Sequence, residues 1–94
     1  MFQIKLTQTA AQAFTSLHPE VKKQLKEALM ILKESPYTGK LLREELISFR
    51  SLKIKRYRII YQVDDSESNI VVVALGHRRD IYEITTKLLQ DKEN

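Results

Sequence analysis

Six consecutive apolar residues, Ile70-Val71-Val72-Val73-Ala74-Leu75, constrain the fold more than any other feature of this chain. The run is too short for a long buried helix and is rich in β-branched side chains. A strand apolar on both faces must lie inside a sheet, covered above and below. Asn69 opens it and Gly76 closes it. Two further strands precede it, roughly Phe49–Lys55 and Tyr57–Val63, and Asp64-Asp65-Ser66-Glu67-Ser68 is the polar hairpin loop before the run. Phe2, Ile4 and Leu6 alternate with Gln3 and Lys5, which predicts one more short strand at the N-terminus.

The remaining apolar residues follow helical spacing. Thr7 and Thr9 can cap a first short helix carrying Ala10, Ala13, Phe14 and Leu17. His18-Pro19 interrupts it. Pro19 suits the first turn of a second helix, whose stripe is Val21, Leu25, Ala28, Leu29 and Leu32 and which Pro36 stops. The short connection predicts an antiparallel helical pair. Lys40 to Leu46 reads as a brief helical turn. Asp80 and Glu83 form a capping box for a last helix with Ile81, Ile84 and Leu88 inward and a frayed tail from Gln90 to Asn94. The order is β-α-α-β-β-β-α: an α+β chain with an N-terminal strand, an antiparallel helical hairpin, a three-stranded antiparallel meander and a C-terminal helix. Residues 1–94 form a single domain in this reading, with the helices on one face of the sheet and the other face free.

Charge is distributed unevenly. Arg50, Lys53, Lys55, Arg56 and Arg58 give the segment from Arg50 to Arg58 a charge of +5, against +4 for all 94 residues, so the remainder nets −1. Like charges on one face of paired strands sit about 5 Å apart and repel. Such a patch suits an anionic partner, a polyphosphate backbone first; the bland alternative is a solvated strand edge protected by lysines. If Leu52 and Ile54 point inward with Tyr57, Ile59 and Tyr61, then Lys53 and Arg58 share the opposite face.

A second candidate cluster is Gly76-His77-Arg78-Arg79-Asp80-Ile81-Tyr82, where a strand end meets a helix start. Arg78 offers a fork of donors, Tyr82 a phenol and His77 an imidazole, although packing is the stronger reading for His77. His18 has no second ligand or base near it in sequence and reads as a cap. There is no cysteine, so disulfides and cysteine-based zinc sites are excluded. No glycine-rich phosphate loop and no metal-ligand spacing occurs, and no cofactor is called for. No run is long enough to span a membrane, and a cytoplasmic location is the default.

Ser51-Leu52-Lys53-Ile54-Lys55-Arg56-Tyr57-Arg58-Ile59-Ile60-Tyr61 resembles the core strand pair of the RelE toxin family, and Leu75-Gly76-His77-Arg78-Arg79-Asp80-Ile81-Tyr82 resembles that family's closing segment. The element order and the proline-ended helix at Ser35-Pro36 agree, so the resemblance covers nearly the whole chain. It implies the toxin of a type II toxin–antitoxin pair: an enzyme that enters the ribosomal A site and cuts messenger RNA without metal, leaving a 2′,3′-cyclic phosphate. It implies an antitoxin partner that neutralises the toxin and supplies the operator-DNA contact. The basic face independently predicts that this partner is acidic and partly disordered when free.

Carried onto this chain, the resemblance makes Arg58 and Arg78 the phosphate clamp, Tyr82 a proton donor or base-stacking group, and Lys53 a binding or pKa-lowering cation. Arg50, Lys55, Arg56, His77 and Arg79 complete the RNA-binding set, with His77 also an alternative base. Lys55-Arg56 replaces the family's glycine-containing turn, which predicts a shifted or bulged hairpin. A ParE-like gyrase poison is the nearest rival, and a non-catalytic basic binding module the next. Short helices and the retained Tyr82 favour the nuclease.

Overall fold

The structure, a computed structural model, describes residues 2–43 and 47–93. The strands are β1 (Gln3–Leu6), β2 (Lys40–Leu41), β3 (Arg50–Ile54), β4 (Tyr57–Asp64) and β5 (Asn69–His77); the helices are α1 (Gln8–Thr15), α2 (Pro19–Glu34) and α3 (Ile81–Glu93). One sheet contains all five strands in the order β1-β5-β4-β3-β2. The meander β3-β4-β5 is antiparallel, and β1 joins β5 in parallel. The doubly apolar β5 is therefore flanked on both edges, as its composition requires.

Both caps of the first two helices are local. Thr7 Oγ1 accepts the Ala10 N–H at 3.2 Å, and His18 Nδ1 accepts the Glu20 N–H at 3.3 Å, with Pro19 following it in the first turn. His18 thus caps a helix, satisfying a donor that has no partner within the helix itself. Where a helical turn is expected from Lys40 to Leu46, Lys40 and Leu41 instead pair with Ser51 and Arg50 as a short edge strand; Glu44, Glu45 and Leu46 lie outside the described residues. Pairing to β3 satisfies backbone groups that a lone helical turn leaves open.

The helices do not share one face. Leu25, Ala28, Leu29 and Leu32 of α2 and Ala10 of α1 pack with Ile59, Tyr61, Ile70, Val72 and Leu75. On the reverse side Ile81 of α3 packs with Phe49, Ile60 and Ala74. The expected free face is therefore partly covered. The reason lies in Ile59-Ile60-Tyr61: all three are fully buried, and pleating sends Ile60 to the face opposite its neighbours. Burying an isoleucine contributes roughly 1.5–3 kcal/mol, enough to demand a cover.

A bulge reconciles β5 with both cores. Ile60 pairs with Ala74 and Tyr61 with Val72, so Val73 is an extra residue. Past it the parity flips, and Leu75 returns to the core that holds Val72 and Ile70. Thr7 secures the bulge: its N–H bonds the Val72 carbonyl at 3.1 Å, and its hydroxyl donates to the Val73 carbonyl at 3.4 Å.

In α3 the inward pair is Ile81 and Thr85, one turn apart, whereas the expected Ile84 is exposed. The Thr85 hydroxyl donates to the Ile81 carbonyl at 2.8 Å, which allows a polar residue to be buried. The helix persists through Glu93 where a frayed tail is expected, and the Leu88 side chain lies outside the described residues.

Candidate functional site

The site grows from the tip of the β3–β4 hairpin. Ile54 pairs with Tyr57, so only Lys55 and Arg56 make the turn, and the ladder from Arg50↔Tyr61 to Ile54↔Tyr57 is unbroken. The expected shift or bulge in this hairpin is absent; the irregularity lies between β4 and β5. A two-residue hairpin needs a left-handed first residue, and Lys55 supplies it at φ 54° despite its side chain. That conformation costs a lysine about 1 kcal/mol or more.

Register then decides which cations meet. Leu52, Ile54, Tyr57 and Ile59 pack toward α1 and α2. Lys53 and Arg58, directly paired, therefore face the other way, with Cβ atoms about 5 Å apart. On its far side Arg58 pairs with Gly76. A Cβ on Gly76 would have nothing nearer than Ile81 Cδ1, at 3.9 Å, so this glycine lies on the α3 face and leaves the floor beside Arg58 bare. One more backbone bond, from the Arg78 N–H to the Arg56 carbonyl at 2.7 Å, carries the β4–β5 ladder past Tyr57↔His77. That bond sets Arg56 and Arg78 side by side in the turns just past the strand ends, next to the Arg58↔Gly76 pair.

The Arg58 guanidinium is held by its own turn. Nη1 donates to the Lys55 carbonyl at 3.1 Å and to the Tyr57 carbonyl at 2.9 Å. Its other donors, Nη2 and Nε, form the kind of fork that suits a phosphate. Lys53, Lys55, Arg56, Arg78 and Arg79 are all exposed around it, and Arg58 is half-buried. The result is a cationic rim over a glycine floor, at the end of the sheet where α3 begins.

Three sequence candidates lie elsewhere. His77 pairs with Tyr57 and packs edge-on against its ring at 5.6 Å, on the α1–α2 side. Its Nδ1 accepts the Arg79 N–H at 3.2 Å, so this histidine packs and caps the turn. Arg50 stands at the opposite end of the hairpin from Arg58, paired with Tyr61. Its Nη1 donates to the Gly39 carbonyl at 2.7 Å and the Tyr37 carbonyl at 3.3 Å, and its guanidinium lies 5.1 Å from the centre of the Tyr37 ring. Tyr82 is exposed on the outer side of α3, in a shallow groove with Glu83, Thr86, Lys87 and Gln90, turned away from the buried Ile81–Thr85 seam.

The perturbed phenols belong to the Arg50 end. Burial pushes the Tyr61 hydroxyl above the usual tyrosine range, opposed by the Gly39 N–H it accepts at 2.8 Å and by Arg50; it donates in turn to the Pro36 carbonyl at 2.8 Å. Tyr37 is raised mainly by its hydrogen bond to the Asp65 carboxylate. Among the described residues no three of His, Asp or Glu gather to hold a metal ion. The floor glycine and the carbonyls of the turn are the parts of the site that residue types did not reveal. The single residue, Arg56, left between the strand patterns Phe49–Lys55 and Tyr57–Val63 was the signal for a tight turn.

Residues 4–82 match a family model described as ParE toxin of type II toxin-antitoxin system, parDE. Toxin RelG of Mycobacterium tuberculosis is 30% identical over 83 residues, covering 86% of this chain and 95% of RelG. The chain therefore belongs to the RelE/ParE superfamily of type II toxins. Solved structures agree in fold. The RelBE2 toxin–antitoxin complex of M. tuberculosis contains a chain with TM-score 0.76 and 29% identity, covering 81% of this chain and 96% of that one. The intact E. coli RelBE complex gives TM-score 0.73 and 26% identity, covering 82% and 96%.

Proposed function

We propose that this toxin is a ribosome-dependent, metal-independent mRNA endoribonuclease. The observation that carries the reading is the register that sets Lys53 opposite Arg58, with bare Gly76 beyond and Arg78 one step further along the ladder. A cross-strand pair of cations destabilises the free protein, and an anion bound between them removes the repulsion.

Cleavage begins with attack of a ribose 2′-oxygen on the adjacent phosphorus. The bond to the 5′-oxygen breaks, leaving a 2′,3′-cyclic phosphate and a 5′-hydroxyl. The phosphorane between them carries extra negative charge, which Arg58 and Arg78 neutralise with Lys53 in support. Fixed cations give the charge stabilisation a divalent ion gives elsewhere. Tyr82, apart from the rim on the outer side of α3, stacks on a base of the message, while solvent water takes the 2′-hydroxyl proton and supplies one to the leaving 5′-oxygen. The exposed Lys55, Arg56 and Arg79 hold flanking phosphates. A cognate acidic antitoxin covers this rim and carries the operator contact, consistent with the RelBE complexes of similar fold.

The family model's ParE description favours a second reading, poisoning of DNA gyrase. The two separate cleanly in one experiment. Induced protein is followed for cut messages on ribosomes and for gyrase-dependent DNA breaks. Message cuts that end in a 2′,3′-cyclic phosphate support the nuclease; DNA breaks with intact messages overturn it.

A further inference from the structure

The tip of the β3–β4 hairpin does more than join two strands. Its three successive carbonyls are all engaged by the two arginines of the site. Lys55 and Tyr57 receive the Arg58 guanidinium at 3.1 and 2.9 Å, and Arg56 receives the Arg78 backbone N–H at 2.7 Å. The direction in which these carbonyls point is set by the turn, and the turn is set by the left-handed Lys55 at φ 54°. We infer that Lys55 is a positioning residue, acting through its backbone conformation to aim Arg58 and to dock the Arg78 loop. This rests on the nuclease reading for its functional consequence, though not for its geometry.

Several observations support this assignment. Left-handed backbone is costly for any residue with a side chain, and persists where the surrounding structure demands it. Here it is demanded: Ile54 and Tyr57 are locked in register on both sides, and no glycine is present to relieve the turn. Arginine side chains have many rotamers, and two carbonyl acceptors on one nitrogen select among them before any ligand arrives. A guanidinium aimed in advance loses less freedom when the phosphate binds. The lysine ammonium plays no part in this device; its charge adds to the rim separately.

The consequence is that charge and conformation at position 55 separate. Lys55→Asn and Lys55→Val remove the same charge. Asparagine enters the left-handed region readily, whereas a β-branched residue there is a genuine outlier. Both variants are expected to raise KM for ribosome-bound message alike, through the lost cation. Only Lys55→Val is expected to lower kcat, by about tenfold or more, because Arg58 is no longer aligned on the transition state. Lys55→Gly, free to adopt the turn, groups with Lys55→Asn.

The same variants are read without substrate by nitrogen-15 NMR of the Arg58 side chain. Hindered rotation of Nη1 marks the bond to the two carbonyls; it is expected in the wild type, Lys55→Asn and Lys55→Gly, and lost in Lys55→Val while its amide spectrum stays folded. Equal kcat for Lys55→Asn and Lys55→Val, in a wild type that cleaves, overturns the inference and leaves the nuclease standing. If the wild type cleaves nothing, the nuclease reading fails and the NMR comparison alone decides: Nη1 rotation unaffected by Lys55→Val overturns the positioning role.

Discussion

Arg50 and Arg58 sit on adjoining strands of one hairpin and have opposite roles. Arg50 pairs with buried Tyr61, and its guanidinium is bound to the Tyr37 and Gly39 carbonyls and lies over an aromatic ring. It is a structural strut that ties the loop after α2 to the sheet. Arg58 pairs with another cation and with a glycine, and its Nη1 is bound to two carbonyls of its own turn. Composition does not distinguish the two. Pleat parity does, together with what each guanidinium meets: Arg50 ties a distant loop to the sheet beside an aromatic ring, and Arg58 is held by its own turn next to a second cation.

The sharpest way to break this contrast is to remove each arginine. Arg58→Ala or Arg78→Ala should cost message cleavage about 3–4 kcal/mol in the transition state, on the order of 10²–10³-fold, as for a lost oxyanion donor. Thermal stability should barely move, because the lost bonds are offset by relief from Lys53. Arg50→Ala should do the reverse, lowering unfolding free energy by about 1.5–3 kcal/mol with cleavage per folded molecule retained. Growth arrest, cleavage rates and denaturant midpoints together read both halves.

Gly39 tests the structural end alone. A Cβ there would sit 2.5 Å from the Tyr61 hydroxyl and 2.8 Å from its ring, so Gly39→Ala must displace a fully buried tyrosine. A loss of about 1–3 kcal/mol is expected from overpacking, measured by chemical denaturation. Alkaline pH strains the same point. The Tyr61 phenol is raised above its ordinary 10.0, so its stabilising contribution is complete below that value and disappears as pH climbs through the higher folded value. Melting temperature should fall at alkaline pH in the wild type, and Tyr61→Phe, already less stable, should fall less steeply.

The smallest effect sharpens the functional end. Lys53→Thr removes the like-charge pair and adds a better strand former, so stability should rise by about 0.2–1 kcal/mol while RNA affinity drops. Melting curves at low and high salt check the origin, since screening should shrink the gain.

Much of this was legible in the chain itself. Period-2 alternation through Leu52, Ile54, Tyr57, Ile59 and Tyr61 specified the face of Lys53 and Arg58 before any coordinates. Helical spacing and Pro19 and Pro36 placed α2. Three things were not legible, each for a physical reason. The bulge at Val73 follows from tertiary demand for parity on two faces, and a string of valines carries no mark of it. The position of α3 on the reverse face depends on Ile60 and Ala74, whose burial is a property of strand order. Arg50 looked like part of the basic patch because sequence counts charges without showing the carbonyls they meet.

The central claim is that the cationic rim acts on a ribose-linked phosphate. The most direct test is a message carrying one 2′-deoxynucleotide at a mapped cut, presented on ribosomes to the wild-type toxin. The account predicts that cutting at that linkage stops while the neighbouring sites are still cut, and that the unmodified message ends in a 2′,3′-cyclic phosphate. Undiminished cutting at the deoxy position would contradict it.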